Sequence, residues 1–376
     1  MTPADLSRTV LRAVRRAVDE GALSVAVPAQ VVVERPRPGG CGDYATNVAL
    51  RLAGPAGRPA QEVARLLSDR LVRESGIADV TVTGPGFLNI SLQREQQASL
   101  TADVVREVLA RQDAYGHGTA LAGQRIRLRI PHEVRAQAVA EAVARIAATQ
   151  GATVEIGHDE PFDLRPVPAV PAGAAVPAGA AAAVGRAAAV AQAGPGTRAL
   201  DVLDTDAAQW GLLHPAPHDH PRLTAALLVQ SESNPLFRVR YAYARSRALT
   251  RNAAALGFSG APGAVDGDGA VDGDGPGAAP QGAAHGAAQG VVDLVSALTA
   301  HPRILEAAAR HRAPDRLARH LVTVADALLT LQYTVLPLGD EKPGAAHRAR
   351  LALAEAAGTV LAGGLSLLGI SAPEYL

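Results

Sequence analysis

The stretch RIRLRIPHEVRAQAVAEAVARI, residues 125–146, decides how the middle of this 376-residue chain folds. Side chains from Arg125 to Ile130 alternate with the period of a β-strand, and Pro131 ends the alternation. From about His132 an alanine-rich run takes up the helical period. A strand that turns directly into a helix is where α/β proteins often hold nucleotide phosphates, on the free N–H groups of the helix N-terminus. The turn here consists of Pro131, His132 and Glu133 and contains no glycine. Two readings follow: a working site, or the place of a lost one.

Composition narrows the field. Lys and Arg together number 36, and so do Asp and Glu, so formal net charge is zero. The chain as a whole is not expected to attract nucleic acid nonspecifically, although a local basic face is compatible with that balance. Arginine carries almost all of the positive charge, and Lys342 is the single lysine. Apolar residues make up 48% of the chain, largely alanine and valine, with only 3% aromatic. One cysteine, Cys41, excludes an internal disulfide and any Cys-based zinc site. The N-terminus lacks the apolar core of a signal peptide, and no apolar run is read as reaching the ~18 residues that cross a bilayer. The expectation is a cytoplasmic protein with no membrane partner.

The patterning predicts a multidomain α+β chain. Residues 1–113 mix helices and strands. Thr2 and Pro3 open a helix with an apolar stripe at Leu6, Val10, Val14 and Val18. Strand-like runs lie at 30–35, 78–83 and 87–92, with helical patterns at 46–53 and 59–73 and another from about 93. Residues 120–165 read as strand, helix, strand. Residues 166–203 form an Ala/Pro/Gly-rich linker with little to pack. From 204 to 376 the pattern is an all-α bundle, with helices expected at 204–213, 223–256, 291–300, 302–310, 314–335 and 345–368. It is interrupted by a flexible insertion at 259–289, in which AVDGDG occurs twice in succession.

Two stretches of the first domain go beyond patterning. GDYATNVALRLAGPAGRP (42–59) and VTGPGFLNISL (82–92), taken together at this spacing, resemble the N-terminal additional domain of arginyl-tRNA synthetases. In that family the domain contacts the outer corner of tRNA, where the D-loop lies. The resemblance makes Asp43, Tyr44, Phe87 and Asn89 candidate D-loop contacts. The residue chemistry agrees for two of them: Phe87 offers a flat face to an unstacked base, and Asn89, two residues on along a strand, can point the same way. Read without the family, Phe87 is a core residue and Asn89 a turn or sheet-edge residue. Farther on, ESNPLFRVRYAYARSRALTRNA (232–253) looks like the helix that opens the DALR-type anticodon-binding domain of the same synthetases. The closing stretches LARHLVTVADALLTLQY (317–333) and ARLALAEAAGTVLAGGLSLLGISAPEYL (349–376) resemble that domain's last helices and tail. This resemblance nominates Arg238, Arg240, Tyr241, Tyr243 and Arg245, with Tyr375 and Leu376 of the tail, as anticodon or tRNA-backbone contacts. Arg247 and Arg251 join them as candidate phosphate contacts. The usual tail of the family is closer to PERM than to PEYL.

The same resemblance answers the opening question. In arginyl-tRNA synthetases the outer domains flank a class I Rossmann core, which opens on a strand, an HxGH-type turn and a helix. AVAEAVARIAATQGATVEI (138–156) resembles the helix and second strand behind that turn, but IPHEVRAQ has neither the paired histidines nor the glycine. A KMSK-type loop needs a lysine to neutralise phosphate charge, and none precedes Lys342. DTDAAQWGLL (204–213) resembles the end of the core, and fewer than fifty residues separate it from Ile156, too few for a Rossmann fold with its insertion. The catalytic core reads as deleted, with no catalytic residues, no metal and no cofactor. ATP and arginine enter only if the chain is a live arginine–tRNA ligase.

Three weaker signals complete the reading. His214, His218 and His220 in HPAPHDH are metal ligands by type but read as a proline-rich linker. The repeated DGDG misses the spacing of a calcium loop. Cys41 lies among glycines with no basic neighbour to activate it. The reading is of a degenerate synthetase paralogue, a monomer that binds tRNA, with arginine isoacceptors the expected partners. The alternative class is an interaction protein whose partner is another protein, such as the true synthetase.

Overall fold

The structure is a computed structural model and describes residues 3–34, 36, 41–169, 205–265 and 281–376. Thr2, most of the 166–203 stretch and both DGDG repeats lie outside the described residues. The chain forms two compact units, Met1–Thr101 and Ala102–Leu376. The boundary therefore falls inside a helix, earlier than the expected residue 113. The strand–helix–strand piece at 120–165 belongs to one unit with the helices that follow and is not a body of its own.

In the first unit, α1 (Pro3–Asp19) buries Leu6, Val10, Ala13, Val14 and Ala17, spaced by three and four residues so that they share one face. β1 (Tyr44–Thr46), α2 (Val48–Ala56), α3 (Ala60–Leu71), β2 (Ile77–Thr83) and β3 (Phe87–Leu92) complete it. The sheet is antiparallel in the order β1-β3-β2, with Ile90 of β3 opposite Tyr44 and Val80. Leu88, Ile90 and Leu92 point from the central strand into a core with α1, Val63, Leu67 and Leu71 of α3. The expected strand at 30–35 is not formed over its described residues, 30–34. That segment makes a single bridge, Glu34 to Ala45, and the Thr46 hydroxyl donates to the Val32 carbonyl where a ladder bond would otherwise lie.

The boundary lies within α4 (Arg94–Arg111), and in the second unit that helix leads to β4 (Arg125–Arg129), α5 (Val134–Ala148) and β5 (Thr153–Gly157). β4 and β5 are parallel, from Arg125 opposite Thr153 to Arg129 opposite Gly157. The helices are α6 (Thr205–Leu213), α7 (Pro235–Ala255), α8 (Gln281–Arg310), α9 (Pro314–Leu331) and α10 (Ala345–Leu368). The helix expected from 223 starts at Pro235 instead. Asn234 caps it, accepting from the N–H groups of Leu236 and Phe237, and Pro235 takes the first turn, where its missing N–H has no cost. The helices expected at 291–300 and 302–310 are one helix through Pro302, and α8 starts at Gln281, within the stretch read as insertion. By length and composition α10 could cross a bilayer, contrary to the sequence reading, but 67% of its apolar window is buried in the bundle against α7, α9 and their neighbours.

Candidate nucleic-acid interface

Phe87 begins β3 immediately after the turn Thr83–Gly86, and that turn is built on glycine. Gly86 has φ +136°, and a Cβ there would lie 2.9 Å from the Ala60 carbonyl oxygen at the start of α3. The close approach leaves the Phe87 ring displayed, 40% exposed on the sheet face opposite the core. Asn89 shares that face by alternation but is only 5% exposed, and its Nδ2 donates to the Thr83 hydroxyl at 2.6 Å. The amide read as a base-edge contact is engaged within the sheet. Asp43 and Tyr44, nominated alongside, are not displayed either. Asp43 accepts from the Leu92 N–H at 2.8 Å and from Gln97 Nε2 at 2.7 Å, so its carboxylate ties the end of β3 to the start of α4. Tyr44 is buried in the core cluster, because the third residue of GDY falls on the inward face of β1. Of the four, Phe87 alone presents a surface.

On α7 the nominated side chains fall on several faces. Tyr241, 38% exposed, stacks on Phe237 with ring centroids 5.6 Å apart. Tyr243 is half-buried, and Arg245 has its Nε buried without a hydrogen-bond partner. The remaining arginines are held by the chain's own carboxylates. Arg238 lies 3.3 Å from Asp326 of α9, whose carboxyl burial pushes up in pKa and Arg238 pulls down. Arg240 binds Asp206 of α6 and donates to the Ser371 hydroxyl at 2.8 Å. Arg247 and Arg251 reach Glu374 at 3.2 and 3.8 Å, and the Arg251 guanidinium sits 4.3 Å over the Tyr375 ring. The tail is thus strapped along α7, with Tyr375 71% and Leu376 53% exposed at its end. Asp206, Asp326, Ser371 and Glu374 carried no signal in the sequence, since nothing in their spacing foretold which arginine each would meet.

The turn after β4 is also filled from within. Glu133 is the N-cap of α5: one carboxylate oxygen accepts from the Ala136 N–H and the other from the Ala169 N–H, both at 2.9 Å. A carboxylate therefore sits on the donors that a phosphate would use. One residue into the helix, Arg135 is fully buried, and its guanidinium donates to the carbonyls of Val167, Leu212, Pro215, Ala216 and Asp219 at 2.6–3.1 Å. Burial lowers its pKa. His132 stacks on His158 with ring centroids 4.0 Å apart, at the carboxyl ends of the two parallel strands.

Comparison with known proteins identifies the two ends of the chain. Residues 5–92 match the model of the arginyl-tRNA synthetase N-terminal domain, and residues 239–376 match the DALR anticodon-binding domain. The chain belongs to the arginyl-tRNA synthetase family. An arginine–tRNA ligase of Frankia alni aligns over all of both chains at 27% identity. That alignment runs over 572 positions although this chain has 376 residues, so about a third of it has no counterpart here. The arginine–tRNA ligases of Renibacterium salmoninarum and Kineococcus radiotolerans are 40% and 38% identical over 41% of this chain. The matched part spans about three-tenths of the length of each. The fold is like that of the arginyl-tRNA synthetases of Thermus thermophilus (TM-score 0.57, 16% identity, all of both chains) and Plasmodium falciparum (TM-score 0.59, 9% identity, 100% of this chain and 99% of that one).

Proposed function

We propose that this arginyl-tRNA synthetase-like chain binds tRNA and does not aminoacylate it. The observation that carries the second half is the α5 N-terminus. There Glu133 places a carboxylate on the backbone donors, and a triphosphate arriving at the same place would meet like charge with no lysine to offset it. The residues of this turn do not fit ATP. The gap of about a third of the alignment with the Frankia ligase supports a missing core from an independent direction.

RNA binding is supported by the two domains retained and by two displayed aromatic surfaces, Phe87 on the sheet and the Phe237–Tyr241 stack on α7. Arginine isoacceptors are the expected tRNAs, and the chain acts in the cytoplasm as a monomer. Sequencing of the RNA that copurifies from its own cells at moderate salt tests this reading, with enrichment of arginine tRNAs as the expected result. A background RNA profile overturns it. ATP- and arginine-dependent pyrophosphate exchange by the purified chain is expected to be absent, and its presence would restore the ligase reading.

One observation favours the alternative, a protein-binding paralogue whose partner is a protein such as the true synthetase. Arg238, Arg240, Arg247 and Arg251 are all already paired within the chain. Salt dependence separates the two readings. RNA binding falls linearly in log–log terms as counterions are released, with a slope that counts phosphate contacts.

A further inference from the structure

The run HPAPHDHPR at 214–222 lies outside both nucleic-acid surfaces, and it is held more firmly than a linker. Arg135 reaches into it from α5 and fixes the carbonyls of Pro215, Ala216 and Asp219, while the Arg222 N–H donates to Gly211. No carboxylate hydrogen-bonds the buried Arg135 guanidinium among the described residues; the groups it donates to are all backbone carbonyls. A cation taken out of water on those terms is costly, and what it secures is the shape of this loop.

The loop walls a cavity of about 460 Å³, closed on the other side by Arg319 of α9. That volume is in the range of sites for small ligands, ~300–1,000 Å³. Beside Pro215, Ala216 and Pro221, its lining is polar: His214, Asp219, His220, Arg222 and Arg319. His214 is held neutral, its pKa lowered to about 4 first by burial and then by the charges of Arg319, Arg222 and Arg238, so a positive field converges on the ring. Arg238 is engaged by Asp326, and Arg319 gives one nitrogen to Asp315 while its side chain stays 53% exposed. Arg222 is exposed, and its guanidinium has no ion pair or hydrogen bond among the described residues. The opposing carboxylate, Asp219, lies 3.9 Å from His218. No group of three or more His, Cys, Asp or Glu side chains among the described residues is placed to hold a metal ion.

We propose that the 214–222 loop and Arg319 form a binding pocket for a phosphate ester. The planar fork of Arg222, with the remaining donors of Arg319, matches a phosphate in charge and geometry. His214 adds a neutral ring and His220 a second imidazole at its edge. The phosphate comes either from a free molecule of nucleotide size or from an RNA backbone. The pocket does not depend on the α7 and β3 surfaces and stands whether or not tRNA binds there.

Trp210, the only tryptophan, stacks on His214 with ring centroids 5.1 Å apart, so its fluorescence reports on the pocket wall. The full chain is titrated with inorganic phosphate, a nucleoside 5′-monophosphate, the unphosphorylated nucleoside and a short oligoribonucleotide without terminal phosphates. Calorimetry in parallel records any binding that leaves the fluorescence unchanged. Saturable binding of phosphate-bearing probes and none of the nucleoside is the expected result. Tightest binding of the monophosphate identifies a free small molecule as the source, and tightest binding of the oligonucleotide identifies backbone phosphate. Arg222→Gln is expected to weaken binding roughly tenfold or more at an unchanged thermal midpoint. Arg319→Gln, on a different element, is expected to weaken it as well. Failure of every probe to bind, or unaltered affinity in Arg222→Gln, overturns the proposal.

Discussion

Helices α5 and α7 both carry arginine and use it in opposite ways. On α5, Arg135 is fully buried and meets carbonyls, neutral groups that cannot leave. On α7, Arg247 and Arg251 lie at the surface and meet Glu374, an acid 46% exposed to water. The first arrangement is a structural bond network in a low-dielectric interior. The second is a set of screened ion pairs, each worth about 0–1 kcal/mol, which a polyanion can replace. The difference teaches where fold ends and function begins: an interior arginine cannot be recruited by a ligand, whereas a strapped surface arginine is available to a stronger anion.

The largest test of that contrast is Arg135→Met. It removes one cation and leaves several buried carbonyls without donors, so the second unit should lose ~4 kcal/mol. Chemical denaturation reads this directly, and a loss under ~1 kcal/mol would show that water or relaxation satisfies those carbonyls and that the guanidinium is not the tie.

Acid comes next. His301 and His320 stack with centroids 5.3 Å apart between α8 and α9, and Tyr115 stacks on His301. Burial lowers their pKa values to about 3 and about 4. In the unfolded chain a histidine titrates near ~6.5. Below that pH the unfolded state binds protons that the folded state refuses. Stability is therefore fully present above ~6.5 and falls as pH drops toward the folded values, by up to ~1.4 kcal/mol per pH unit for each histidine. A thermal midpoint that declines from pH 7 to pH 5, with a shallower decline in His320→Leu, is the expected pattern. A flat profile would mean that the two rings are hydrated. The surface pairs of α7 should contribute little to this slope.

In the first unit, Phe87→Ala removes the one displayed D-loop candidate without touching the core, so tRNA affinity should fall by the worth of a stacked base, ~1–3 kcal/mol. Filter binding with thermal melts alongside measures it, and equal affinity would take the sheet face out of the RNA surface.

How much of this was legible follows the same division. The periods of α1, α3, β3 and α5 were plain because burial of one face imposes them, and GDYATN with GPGF placed the first domain. Asn89 and Asp43 misled because a polar residue at a motif position reads the same whether it faces solvent or ties two strands together; only Thr83, Leu92 and Gln97 reveal the difference. Pro302 was read as a break, yet the helix runs through it, since packing against α9 outweighs one lost backbone bond. Glu133 looked like an absence, a missing histidine pair. It is in fact an active occupant of the helix N-terminus, and no pattern in the turn shows where a carboxylate will bend.

The smallest expected effect bears most closely on how α7 could work. Glu374 places a carboxylate between Arg247 and Arg251, and Tyr375 lays a ring under Arg251, so the tail offers these arginines what a nucleotide would, an anion and a flat π-face. If RNA binds here it must first displace them, and the cost is that of exposed pairs. Glu374→Gln should therefore strengthen tRNA binding two- to fivefold, about 0.4–1 kcal/mol, and steepen the salt dependence, because two freed guanidiniums then meet phosphate without competition. The fold should not change, since all three side chains are about half exposed. Weaker binding in Glu374→Gln would reverse the assignment: the carboxylate would then be presenting the two arginines to RNA, and the strap would be part of the binding surface.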